Sequence, residues 1–79
     1  MLPTQGLQIL DARGATCPGP LMELIAQIKL MDIGEEVEVL ATDKGSATDI
    51  PIWLRKVGHE LINMREDAGV YHIRVRKTK

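Results

Sequence analysis

The sequence predicts an α/β sandwich of two layers, two helices over one sheet of four strands, in the order β-α-β-α-β-β. Three observations predict it. Two stretches, Leu21 to Ile28 and Ile50 to Val57, place apolar residues at helical spacing. Two others, Glu35 to Thr42 and Val70 to Lys77, alternate apolar and charged residues with the period of a strand. Finally, 79 residues with 44% apolar and 27% charged side chains, and no Gly/Ser linker, provide for a single domain over residues 1–79 with one aliphatic core.

Along the chain, "LQILDA" (7–12) is expected to be a short buried strand ending in the "DARG" turn. In the first helix Leu21, Leu24, Ile25 and Ile28 share one face, and the stop is expected near Asp32, with Gly34 in the left-handed conformation. Residues 35–42 then form a strand, with Val37, Val39 and Ala41 on one side and Glu36 and Glu38 on the other. "TDKGS" is expected to be a loop, Ser46 with Asp49 resembles a capping box, and Pro51 is expected in about the first turn of the second helix. Ile50, Trp53, Leu54 and Val57 face the core and Gly58 ends the helix. "HELINMRED" and "VYHIRVRK" are strands joined at "DAG", a hairpin turn. In the last strand Tyr71, Ile73 and Val75 point one way and His72, Arg74 and Arg76 the other. Two helices and four strands pack most economically as one helical layer on one sheet, which leaves the other sheet face partly solvated.

Composition also limits function. Ten basic and eleven acidic side chains offer no general attraction to nucleic acid or anionic lipid. No apolar run reaches the roughly 20 residues of a membrane span, and the N-terminal stretch does not resemble a signal peptide, so a cytoplasmic protein without membrane contact is expected. The one cysteine excludes an internal disulfide and suits a reducing compartment. It also excludes thioredoxin-like chemistry within the chain, because position 20 holds proline where a second thiol would stand. Cys17, His59 and His72 lack the short spacing of metal-ligand pairs.

That cysteine lies in "ATCPGPLMEL". Many free cysteines are small apolar filler, but this one stands at a strand-to-helix junction between a threonine and two prolines, at the rim of the core. With Cys17 as N-cap, Pro18, Gly19 and Pro20 occupy the first three helical positions, and the amides of Gly19 and Leu21 remain as free donors. Such donors and the positive end of the helix dipole favour thiolate over thiol. Arg13 is the nearest basic side chain in sequence; it either supports the anion or pairs with Asp11. Met22, off the main apolar stripe and one turn from the thiol, is a candidate for an apolar docking rim.

The segments "LDARGATCPGPLMEL", "ATDKGSATDIPIW" and "GHEL" resemble the TusA/SirA family of small sulfur-carrier proteins over nearly the whole chain. The resemblance implies a mixed four-stranded sheet with both helices on one face. It implies that Cys17, with motif prolines Pro18 and Pro20, carries sulfane sulfur as a persulfide without a cofactor, a sulfurtransferase-type relay rather than a classical turnover enzyme. Its implied partners are a cysteine desulfurase or rhodanese-like donor and an acceptor thiol protein, such as a DsrE-like one. Relays of this kind end in tRNA thiolation, cofactor biosynthesis or sulfur oxidation. Many members have Glu between the prolines, where this chain has Gly19. A carboxylate missing there removes a like charge from beside the sulfur and points to a different choice of partner. The absence of a second cysteine fits a carrier, since a resolving thiol would discharge the persulfide. The competing reading is a small RNA-binding or regulatory interaction module using Arg74, Arg76 and Lys77; a solvated strand face is the plainer account of those residues.

Overall fold

The computed structural model describes residues 7–16 and 18–79. Its elements are β1 (Leu7–Asp11), α1 (Gly19–Leu30), β2 (Glu36–Ala41), α2 (Lys44–Val57), β3 (Glu60–Asp67) and β4 (Val70–Arg76). The sheet order is β1-β2-β4-β3, with β1 parallel to β2 and β4 antiparallel to both β2 and β3. The connections β1-α1-β2 and β2-α2-β3 therefore both join parallel strands, and both step across the sheet in the same direction. Crossovers of the same, right-handed sense that step the same way lie on the same face. Leu24 and Ile28 of α1 and Ile50 and Leu54 of α2 accordingly meet Val37, Val39, Ile73 and Val75 of the sheet in one aliphatic core. Trp53 and Tyr71 pack against it, partly buried.

The pleat sorts the opposite face. Glu36 bridges Arg74 (2.8 Å) and Arg76 (2.9 Å), Arg76 also reaches Glu60 (3.2 Å), and His72 Nδ1 lies 3.0 Å from Glu38. The two arginines considered for RNA contact are thus engaged by carboxylates. This favours the solvated-face account of the strip, since committed guanidiniums must break ion pairs before binding phosphate.

Three local expectations are corrected. β1 is an edge strand whose Leu7 and Ile9 share the open face with Glu36 and Glu38, so Ile9 is 58% exposed rather than buried. The N-cap of α2 lies three residues earlier than Ser46: Asp43 holds that position and accepts from the Ser46 amide at 3.1 Å, so Lys44, Gly45 and Ser46 are helical rather than loop. Asp outranks Ser here because its carboxylate also complements the helix dipole. Pro51 consequently falls inside α2, beyond the first turn, where its ring removes the bond that a backbone amide would have donated to the carbonyl of Ala47.

The remaining boundaries follow from their caps. α1 ends at Leu30, with Met31 extended and buried, and Gly34 at φ +97° turns the chain into β2. Gly58 at φ +91° closes α2 by donating to Leu54 O at 2.8 Å. A bulge between Leu61 and Asn63 in β3 changes the phase of the strand, which puts Leu61 and Met64 opposite Val75 and Ile73 on the helix side.

Candidate functional site

The parallel pairing of β1 and β2 brings their C-terminal ends, and the N-termini of α1 and α2, to one pole of the molecule. This is where an open α/β sheet presents its loops to a ligand or partner. The segment entering α1 is tied down at several points. Ala12, buried in the core, donates its amide to Leu40 O at 2.8 Å. Asp11 accepts from the Arg13 amide at 3.1 Å, an Asx-type turn, and Ala15 donates back to Ala12 O at 3.2 Å. Gly14, at φ +86°, donates to Thr42 Oγ1 at 2.9 Å and so fastens the segment to the β2-α2 connection.

Arg13 is engaged by Asp11. Its Nε and a terminal nitrogen donate to the two carboxylate oxygens at 2.9 and 2.7 Å, in the two-pronged geometry that suits a guanidinium. The hydrogen bonds from Arg13 hold the Asp11 carboxyl down at about 2. Of the two roles considered for Arg13, pairing with Asp11 is the one the structure displays.

The entry to α1 differs from the expected register. Pro18, exposed, is the N-cap, Gly19 is the first helical residue and Pro20 the second, so Pro18, Gly19 and Pro20 each stand one position earlier than the sequence reading placed them. The Gly19 amide donates to Thr16 O at 2.7 Å, closing a tight turn just ahead of the helix, and the first helical bond runs from Met22 N to Pro18 O at 2.8 Å. The Gly19 amide is therefore not a free donor. Cys17, the expected N-cap, lies outside the described residues; its sequence neighbours Thr16 and Pro18 are both exposed. Pro20 is buried, Leu21 packs against the core, and Met22 is 57% exposed beside them. No acidic side chain occupies the first turn of α1, so its positive end is uncompensated from within the helix. A Cβ placed on Gly19 would meet only the Ala15 Cβ, at 3.4 Å. The backbone thus has room for a side chain where this sequence has none.

Sequence reasoning missed two contributors. Asp43 was legible, since its spacing from Ser46 is that of an N-cap and its partner. Thr42 was not, because a hydroxyl accepting from an amide 28 residues away leaves no local pattern. Among the described residues no group of His, Cys, Asp and Glu could hold a metal ion, and no helix is long and apolar enough to cross a membrane.

The class is that of small two-layer α/β sandwiches whose sequence reads Cys-Pro-x-Pro at the start of the first helix, beside the carboxyl ends of two parallel strands. Within that class the chain belongs to the TusA family: the model of "Sulfurtransferase TusA" matches residues 8–77. It is 49% identical over 71 residues to a putative sulfur carrier protein of Archaeoglobus fulgidus, covering 90% of this chain and 97% of that one. It is 41% identical over 69 residues to the sulfur carrier protein TusA of Pseudomonas putida strain W619, covering 87% and 86%. The crystal structure of a SirA-like protein from Desulfitobacterium hafniense has the same fold, with a TM-score of 0.78 at 21% identity over 92% of this chain and 99% of that one. Membership supports a sulfur-carrier role.

Proposed function

We propose that the protein carries sulfane sulfur as a persulfide on Cys17 and passes it between partner proteins. The observation that carries this reading is the fastened, proline-bounded segment at the mouth of α1, which holds the sole thiol of the chain in a family of sulfur carriers. In loading, the Cys17 thiolate attacks the outer sulfur of a donor persulfide. A new S–S bond forms on Cys17, the S–S bond of the donor breaks, and the donor leaves as a thiolate with the electron pair. In delivery, an acceptor thiolate attacks the outer sulfur of Cys17–S–S⁻ and Cys17 leaves as thiolate. No oxidant, reductant or cofactor enters either step.

Three features support the exchange. The positive end of α1, with no carboxylate in its first turn, favours the anionic forms of Cys17. Pro18, Gly19 and Pro20 fix the approach to the helix, and the absent side chain at Gly19 leaves the rim uncrowded. Leu21 anchors this turn in the core, while exposed Met22 offers apolar contact to a partner. Arg13, paired with Asp11, acts on the shape of the segment rather than directly on the sulfur. We assign the donor to the desulfurase or rhodanese-like class and the acceptor to thiol proteins of the DsrE-like kind, in a reducing, cytoplasmic setting.

The test is to incubate the protein with a cysteine desulfurase and cysteine and to record its intact mass. One added sulfur atom, removed by dithiothreitol and missing from Cys17→Ser, is the expected result. No addition from any sulfane donor, or equal addition to Cys17→Ser, would overturn the assignment.

A further inference from the structure

α1 has a second apolar face. At roughly 100° per residue, Leu24 and Ile28 point into the core, while Met22, Ala26 and Leu30, four residues apart, follow the opposite side of the helix. Met22 is 57% and Leu30 83% exposed, and Ala26 is exposed between them. Ile33, 68% exposed, follows in sequence just beyond the helix end. A helix packed on one side only is expected to be polar on the other; this one is not. Apolar side chains aligned along the solvent side of a helix, rather than scattered singly, suit an interaction surface.

The charges flanking the strip select its occupant. Glu23 and Lys29 are exposed, neither takes part in an ion pair among the described residues, and they lie on opposite flanks of the strip, three residues before and three after Ala26. We propose that this face binds a second copy of the chain, α1 against α1 in parallel about a two-fold axis. Met22, Ala26 and Leu30 then meet their own counterparts, and the small Ala26 at the middle lets the helices approach closely. Parallel pairing puts each Glu23 on the same flank as the partner's Lys29, in the manner of cross-helix charge pairs in parallel coiled coils. Antiparallel pairing would gather both Glu23 side chains on one flank and both Lys29 on the other. The strip is small, so the dimer belongs to the weak, transient class of interfaces. It covers Met22 in both copies and sets the two α1 entrances side by side at the same pole. Self-association thereby competes with any partner that docks on that rim. This inference stands on the helix surface alone and does not depend on the chemistry of Cys17.

Sedimentation velocity in reducing buffer, from about 10 μM to about 1 mM, tests it. The wild-type chain is expected to show a concentration-dependent dimer that weakens with added salt. Lys29→Glu alone and Glu23→Lys alone each bring like charges together and weaken the dimer by at least about tenfold. An equimolar mixture of these two variants restores association, because each then faces the opposite charge. Circular dichroism confirms that each variant is folded. A wild-type chain that stays monomeric at about 1 mM, a Lys29→Glu variant that dimerises as tightly as the wild type, or a mixture that stays monomeric overturns the proposal.

Discussion

Asp11 and Arg13 show how a single pair shapes the segment before α1. Three hydrogen bonds from Arg13 depress the Asp11 carboxyl to about 2, so it remains ionised through the neutral range. A folded-state value below the unfolded one means that the pair's contribution is complete above about pH 4 and is lost as pH falls through about 2. Arg13→Ala removes the guanidinium bonds but keeps the backbone amide, so the Asp11 titration, followed by carboxyl NMR shifts, should rise from about 2 toward the ordinary range near 4; a midpoint still near 2 would show that the guanidinium does not hold the carboxylate. Gly19→Glu fits the available space and restores a like charge near Cys17, so it should leave folding intact and slow alkylation of the thiol at neutral pH several-fold, by raising its pKa. Unchanged alkylation would dissociate position 19 from the electrostatics of the sulfur.

His59, at the other pole, is a second group whose partners set its protonation. Its Nδ1 accepts from the Thr78 amide at 3.2 Å, Thr78 Oγ1 donates to Gly58 O at 2.5 Å, and the ring lies 5.9 Å from that of Trp53. Burial first, and then the nearby Lys77 and Lys79, push the His59 pKa below its ordinary value. The folded state therefore disfavours the proton, so the stability tied to neutral His59 is present above about pH 6.5 and is lost as pH falls below it. Trp53 fluorescence should report a titration midpoint below 6.5 that His59→Gln abolishes.

At the scale of elements, periodicity located both helices, β2 and β4, the hairpin turn located β3 beside β4, and the ends depended on caps. The core stripe of α1 was legible in Leu21, Leu24, Ile25 and Ile28. Its first residue was not, because a carbonyl three residues upstream, that of Thr16, takes the Gly19 amide and shifts the register by one. α2 was displaced for a different reason: a proline is expected in about the first turn, yet the helix absorbs Pro51 well inside. The β3-β4 hairpin carries a testable strain. Its two turn residues, Ala68 and Gly69, both have positive φ, +52° and +81°, as a type I′ turn requires. An alanine there costs about 1 kcal/mol or more relative to residues that tolerate the left-handed region. Ala68→Asn should stabilise the fold by up to about 1 kcal/mol, raising Tm by several degrees; an unchanged or lower Tm would show that the turn relaxes without cost.

For the whole molecule, the layer arrangement was legible because strands with one charged face leave only one side for the helices. The strand order was not, since the same β-α-β-α-β-β succession permits helices on one side or both. β1 was misread for a related reason. Leu7 and Ile9 look like core residues until the sheet order makes them part of the open face. A chain of this size has about 4–12 kcal/mol of stability in total, concentrated in few aliphatic contacts. Ile50→Ala, at a fully buried site beneath α2, should therefore remove about 2–5 kcal/mol in a urea titration. A loss below 1 kcal/mol would mean that α2 contributes little to the core.

The carrier function itself is tested most directly by the discharge of a loaded protein. With isotopically labelled sulfane sulfur placed on the wild-type chain and the donor removed, addition of an acceptor thiol should move one labelled atom to that acceptor. The bare Cys17 thiol should return at its original mass. If the label instead stays on the protein, escapes only as sulfide, or is acquired equally by Cys17→Ser, the chain is not a sulfur carrier acting through Cys17.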